Sequence, residues 1–242
     1  MKTPFKTFGV LLAVIVAAGS ARAGYIYDNS SNDSGYRLML TNSQVVGQEI
    51  YPNSASLAAF PYLTGFSFEY FSTNIGWSGT VQADVKFYLN NGTPFNGFNT
   101  PGTSFFDSGW FNLVNPEFAT GGSVLGWSFS SADLYSGGGA VLPLNYNLAM
   151  PSDFTVVFTL QGLSGADQVG LAVFNPPATG TNYGDYWMKD NANQWELVTN
   201  NVTTIGLGMQ FNGSATPAPE PSVLALGALG ALLLARVAKR RQ

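Results

Sequence analysis

Apolar and polar side chains alternate with a period of two through most of the chain between Gly24 and Asn212. In Thr80–Leu89, Val81, Ala83, Val85, Phe87 and Leu89 share one face, while Thr80, Gln82, Asp84, Lys86 and Tyr88 share the other. Successive side chains of an extended chain point to opposite sides, so this pattern predicts a strand with one buried face. Phe66/Phe68/Tyr70, Phe154/Val156/Phe158/Leu160 and Ile205/Leu207/Met209/Phe211 repeat it. Turn residues close the runs at Asn90-Asn91-Gly92, Ser136-Gly137-Gly138-Gly139, Gly162-Leu163-Ser164-Gly165 and Asn175-Pro176-Pro177. No stretch of this body carries the 3.6-residue period of an amphipathic helix of ordinary length. About eleven short strands, each apolar on one face, predict an all-β fold: a single jelly-roll-like antiparallel β-sandwich, its two sheets packed face to face over residues 24–213.

The alternation stops at both ends. Lys2 and Lys6 precede an apolar run from Phe8 to Ala18, which is followed by Ala21-Arg22-Ala23. A short positive region, an apolar core and small residues at the −3 and −1 positions predict a secretory signal peptide over residues 1–23, cut before Gly24 by signal peptidase. The run falls well short of the ~20 residues that span a bilayer. At the other end a Pro-rich linker, residues 214–218, leads into Pro219-Glu220-Pro221, an apolar segment from Ser222 to Ala235, and a basic end with Arg236, Lys239, Arg240 and Arg241. Proline keeps the lead extended. The apolar segment makes a helix only about 21 Å long at 1.5 Å per residue, a marginal single span. The basic cluster stops transfer by staying with the anionic cytoplasmic leaflet.

That order of Pro-Glu-Pro triplet, short Gly/Leu/Ala-rich helix and Arg-rich end resembles the PEP-CTERM sorting signal of Gram-negative bacteria, a tail also known as an ice-binding-protein C-terminal domain. The resemblance covers residues 219–242. It implies that Pro219, Glu220 and Pro221 are the recognition triplet for exosortase, a membrane-embedded transpeptidase-like protease. It also implies that the helix is a transient inner-membrane anchor, and that the protein passes to the cell envelope, the cell surface or the extracellular matrix. The chain would be the substrate of that processing. The ice-binding label implies no activity, since no regular threonine array is present. More loosely, the successive segments Leu63–Phe71, Val85–Gly92 and Pro101–Gly109 resemble the sandwich bodies that accompany such tails.

Composition narrows the chemistry. The 242 residues include no His and no Cys, which excludes disulfides, thiolate or imidazole metal sites, and Cys or Ser-His nucleophiles. The net charge of −4 hides a segregation: residues 24–218 hold Arg37, Lys86 and Lys189 against thirteen acids, a net −10. A body this acidic repels phosphate backbones, so nucleic acid is not an expected partner.

Three kinds of site remain open to such a body. A carboxylate-dependent glycan hydrolase needs two acids about 5–10 Å apart; Glu69 and Asp84, with Lys86 near, are the candidates, on strands expected to be adjacent. No closely spaced cluster of acids like those of sandwich-fold glycanases is present, and the expectation is a non-enzyme. No cofactor is expected either. Calcium is the one ion whose oxygen ligands the loop Asp28–Asp33, or Asp185 and Asp190, would supply, although Asx-turns are the plainer role for these residues. The third kind is sugar stacking on aromatic rings. The segment 183–195 combines Tyr183, Tyr186, Trp187 and Trp195 with Asn, Asp and Gln in one predicted hairpin, while Trp77 and Trp110 lie elsewhere; ordinary cross-strand packing is the competing role for each ring. The sequence therefore leads to the expectation of an exported surface or matrix protein serving adhesion or exopolysaccharide association.

Overall fold

The computed structural model describes residues 23–73, 76–114, 123–130, 148–199 and 204–217. The signal segment before Ala23 and the sorting tail 219–242 lie outside the described residues. Among the described residues no helix is long and apolar enough to cross a membrane.

The chain opens with strands β1 (Ala23–Asn29), β2 (Asp33–Leu40) and β3 (Val45–Tyr51), a short helix α1 (Ser54–Ala59), then β4 (Tyr62–Ser72) and β5 (Gln82–Tyr88). It continues through β6 (Ser104–Asp107), β7 (Phe111–Asn112), β8 (Ser123–Ser130), β9 (Phe154–Gln161) and β10 (Val169–Phe174). It closes with β11 (Thr181–Asn182), β12 (Tyr186–Lys189), β13 (Trp195–Val198) and β14 (Met209–Ser214). The described strands thus exceed the expected number, because short pieces such as β7 and β11 join existing sheet edges. The one helix has six residues and is capped by Asn53, whose Oδ1 accepts the Ser56 N–H at 3.0 Å.

All described pairings are antiparallel and form two sheets. In the six-stranded sheet β4 is central: β14 and β10 follow one another along one of its edges, and β8 takes the other, since Phe68 faces both Met209 and Trp127 in register. The eight-stranded sheet runs β13-β12-β3-β9-β5-β6, with β11 on β3 and β7 on β5. The all-β antiparallel expectation is therefore met. β1 pairs with β14, Ala23 opposite Ser214, so the chain enters and leaves the described body at one corner.

Aromatic rings close the gap between the sheets. From the smaller sheet, Phe66 meets Phe87 at 5.2 Å, Phe68 meets Phe158 at 5.1 Å, and Phe211 meets Phe87 and Phe154, both at 5.3 Å. The alternation read from the sequence places these side chains correctly: Val81, Ala83, Val85 and Phe87 are at most 1% exposed, as are Phe154, Val156, Phe158 and Leu160. Tilted and edge-on ring pairs at these separations add to the energy of burial. Phe211 touches four other rings, Tyr27, Phe66, Phe87 and Phe154. Phe211→Ala is expected to cost about 3–5 kcal/mol. Urea unfolding followed by near-ultraviolet circular dichroism checks this, and a loss below about 1 kcal/mol would show that the two sheets do not depend on the ring cluster.

Candidate functional site

Strand β9 is buried on both sides. Its inward residues belong to the ring cluster, yet the outward-facing Thr155 and Val157 are only 0% and 3% exposed. Their cover comes from the larger sheet itself. Tyr88 on β5 and Trp195 on β13 are separated by β9, β3 and β12, about 19 Å in a flat sheet at ~4.8 Å per step. Their rings nevertheless stand 6.3 Å apart. The sheet therefore curls until the β12–β13 hairpin overhangs β5, which makes its outer face concave. Gly47, opposite Trp187 in register, permits the bend: a Cβ there would lie 2.8 Å from Thr155 Cγ2, 3.2 Å from Val157 Cγ2 and 3.4 Å from Trp187 Cβ.

The second wall is the segment between β5 and β6. Phe95 and Phe98 exchange backbone hydrogen bonds around Asn96 and Gly97, whose φ angles of 50° and 88° define a tight two-residue hairpin turn. This small hairpin sets Phe95 edge-on to Trp187 at 6.5 Å, and Phe98 against Tyr183 at 5.4 Å. Between it and the β12–β13 hairpin lies a cleft of about 510 Å³, lined by Thr93, Phe95, Thr100, Pro101, Gln194 and Trp195. A second cleft, about 610 Å³, lies between the same hairpin and the turn after β2, with Asn42, Gln44, Lys189 and Asn191 in its wall. Asp190 and Glu196 border both. Half-buried rings beside amide and hydroxyl groups suit a sugar, whose C–H faces pack on aromatics while its hydroxyls exchange hydrogen bonds.

Lys86, Lys189 and their neighbours set the field of this face. Lys86 Nζ reaches Asp84 at 3.2 Å and Asp107 at 2.9 Å. Burial pushes the Asp84 carboxyl up, against the pull of Lys86. Burial also opposes ionisation of Asp107, but there the Lys86 ammonium and the Gly109 N–H prevail and hold the carboxyl below its usual range. Lys86 is correspondingly raised, chiefly by its bond to Asp107. Lys189, opposite Trp195 in register, holds its ammonium 4.9 Å from the Trp195 ring centroid. Its pKa is lowered, first by burial and then by Lys86.

The four rings singled out in the sequence have different fates. Trp187 is 1% exposed and walls the bend, so it offers no face to a ligand. Tyr186 packs partly against the main core, and Tyr183 stands at the end of the concave face against Phe98. Trp195, half-buried, lines the first cleft. Of the other tryptophans, Trp77 is buried and donates to Ser72 Oγ at 2.9 Å, while Trp110 is exposed. Glu69 and Asp84 are not on adjacent strands: β4 belongs to the smaller sheet and β5 to the larger, because the chain crosses between sheets after Ser72. Both side chains face outward from the ring core, so the sandwich lies between them. The structure instead brings Glu49 and Asp153 together, where the Asn90 amide donates to both carboxylates at 3.1 Å.

The loop acids make turns. Asp28 Oδ1 accepts from the Ser30 N–H and hydroxyl, Asp33 Oδ1 from the Gly35 N–H, and Asp190 Oδ1 from the Ala192 and Gln194 N–H groups. Asp185 accepts from the Thr199 hydroxyl at 3.3 Å. Among the described residues no group of three or more acids is placed to hold a metal ion. Lys189, Tyr88 and Phe95 were not singled out as site residues from the sequence. The Phe95-Asn96-Gly97-Phe98 pattern is a strong hairpin signal and marks Phe95; nothing in the local pattern of Lys189 or Tyr88 reveals that they meet Trp195. No family model matches the chain, and neither a curated protein nor a solved structure does.

Removing Lys86 tests the electrostatics. Asp107, held low, stabilises the fold above the ordinary carboxylate range and loses that contribution as pH falls through its folded pKa. Asp84, held high, works in the opposite sense and opposes folding as pH rises through its folded pKa. Without Lys86 both carboxylates lose their counter-ion, so Lys86→Gln is expected to cost about 2 kcal/mol at pH 7, intermediate between exposed and buried pairs, and less at pH 3.5, where Asp84, held high, is largely protonated and only Asp107, held low, still pairs with Lys86. Urea unfolding at the two pH values checks it; an equal loss at both would contradict the charge assignment.

Proposed function

We propose that this protein is an exported cell-surface or extracellular-matrix protein, with a jelly-roll-like sandwich that associates with exopolysaccharide through the concave face of its larger sheet. The observation that carries the glycan reading is the Trp195–Tyr88 pair, two half-buried rings 6.3 Å apart beside the 510 Å³ cleft. Support for the jelly-roll-like topology comes from the way the chain alternates between sheets, β3 and β5 in the larger with β4 between them in the smaller, and β9 in the larger followed by β10 in the smaller.

Delivery rests on the two end segments. Signal peptidase would remove residues 1–23, and exosortase would act at Pro219-Glu220-Pro221 while the following helix holds the chain in the inner membrane. The shared corner of β1 and β14 supports this geometry, because it brings both ends of the described body to one place on the smaller sheet. The hydrolytic alternative loses its support with the separation of Glu69 from Asp84. Binding without bond cleavage is the function that remains best matched to the site.

Two measurements test the reading. Intact-mass analysis of protein from the cell surface or medium should give a species that starts near Gly24 and ends near the Pro-Glu-Pro triplet; a retained Gln242 end would make the tail a plain anchor. Calorimetric titration with the host's exopolysaccharide should show binding that Trp195→Ala weakens by roughly tenfold, about 1.4 kcal/mol. The absence of heat with the unaltered protein would remove the glycan role.

A further inference from the structure

We infer that the glycan taken by this face is acidic, with a uronate carboxylate seated on the Lys189 ammonium and its sugar ring packed against Trp195 and Tyr88. The inference rests on the glycan-binding reading of the same face and names the charge of the ligand.

Residues 24–218 hold three cations, and the other two are already engaged. Arg37 grips both oxygens of Asp33, at 2.7 and 2.8 Å. Lys86 is shared between Asp84 and Asp107. Lys189 has no carboxylate partner among the described residues; its ammonium lies over the Trp195 ring instead. In a body of net −10 an unpaired, half-buried cation is conspicuous. Burial and the charge of Lys86 both act against its protonated form, and the attraction of an arriving anion offsets them by favouring that form.

Nearby acids do not supply that anion. Trp195 and Lys189 oppose each other in register and share the inner side of the hairpin, whereas Glu196 opposes Met188 and falls on the alternate side. Asp190 Oδ1 is taken by the N–H groups of Ala192 and Gln194, at 2.9 and 2.7 Å. Asp190 and Glu196 border both clefts without pairing with Lys189, so its ammonium is the cation beside the stacking ring that no described carboxylate neutralises. A neutral sugar would use the rings and leave Lys189 uncompensated. A uronate uses both, because its carboxylate projects from the ring edge and reaches a cation beside the stacking surface. The rest of the acidic body repels polyanions at long range, so a polymer held here is selected by a local contact.

Affinity electrophoresis of the full-length protein tests this, using native gels that contain polygalacturonate, carboxyl-reduced polygalacturonate or dextran sulfate. Polygalacturonate should retard the protein with an affinity roughly tenfold above that of its carboxyl-reduced form, the size expected for one charge-assisted contact. Lys189→Gln should abolish that difference, Lys189→Arg should keep it, and Trp195→Ala should weaken binding to both polymers. Unchanged near-ultraviolet circular dichroism of the variants confirms that they fold. Equal retention by polygalacturonate and its reduced form, or an unaffected Lys189→Gln variant, would overturn the inference while leaving glycan binding intact. Retention by dextran sulfate as strong as by polygalacturonate would also overturn it, since charge alone would then suffice. No retention by either galacturonate polymer, with the host exopolysaccharide also unbound, would defeat the glycan reading itself.

Discussion

Phe211 and Phe87 meet at 5.3 Å across the space between the sheets, and the rings around them join the central strand of one layer to the middle of the other. With no cysteine in the chain, no disulfide holds this protein together. The layers stay together because β4 and β14 on one side, and β5 and β9 on the other, each present large apolar side chains to the gap. A sandwich of about 190 residues buries enough surface to be stable in this way. Burial is strict enough to raise the phenols it encloses: Tyr70, which donates to the Val114 carbonyl at 2.9 Å, is pushed up to about 12.

A rigid inner layer lets the outer face do something else. Where Gly47 allows Trp187 to lie against β9, the larger sheet turns over on itself and builds a small second cluster from Trp187, Phe95, Thr155 and Val157 on the side away from the main core. The concavity follows from that cluster. It brings Tyr88 and Lys86, near the far edge of the sheet, beside Trp195 and Lys189 at the other. Residues distant in sequence and in strand order thereby share one surface.

Electrostatics distinguish this surface from the rest of the body. Its acids are mostly committed: Asp84 and Asp107 to Lys86, Glu49 to Tyr51 and Asn90, Asp153 to Asn90. Burial raises the Glu49 carboxyl, and neighbouring Asp153 adds to the effect. A carboxylate that accepts from an amide and a phenol is a fixed strut of the rim, which fits binding better than proton transfer. Lys189 is the cation of this face that pairs with no carboxylate among the described residues.

Much of this was legible in the order of residues. Alternation alone assigned Phe87, Phe154, Phe158 and Phe211 to the inside, since a strand has two sides and the apolar one must be buried. The asymmetry of charge and the chemistry of both ends are likewise properties of the string. Other features arise only when distant segments meet. Thr155 and Val157 read as outward residues and are outward, yet they are buried, because Trp187 packs beside them at Gly47 and Asn90 takes the Thr155 hydroxyl. Trp187 and Trp195 share one side of the same hairpin and look equivalent in sequence. The first is sealed by the bend at Gly47 and the second is left in the cleft. Glu69 and Asp84 looked like neighbours because their strands follow one another, but β4 and β5 belong to different layers. Local periodicity determined which way each side chain faces along its own strand; the curl of the sheet, a long-range outcome of packing against β9, decided which of those faces became a site.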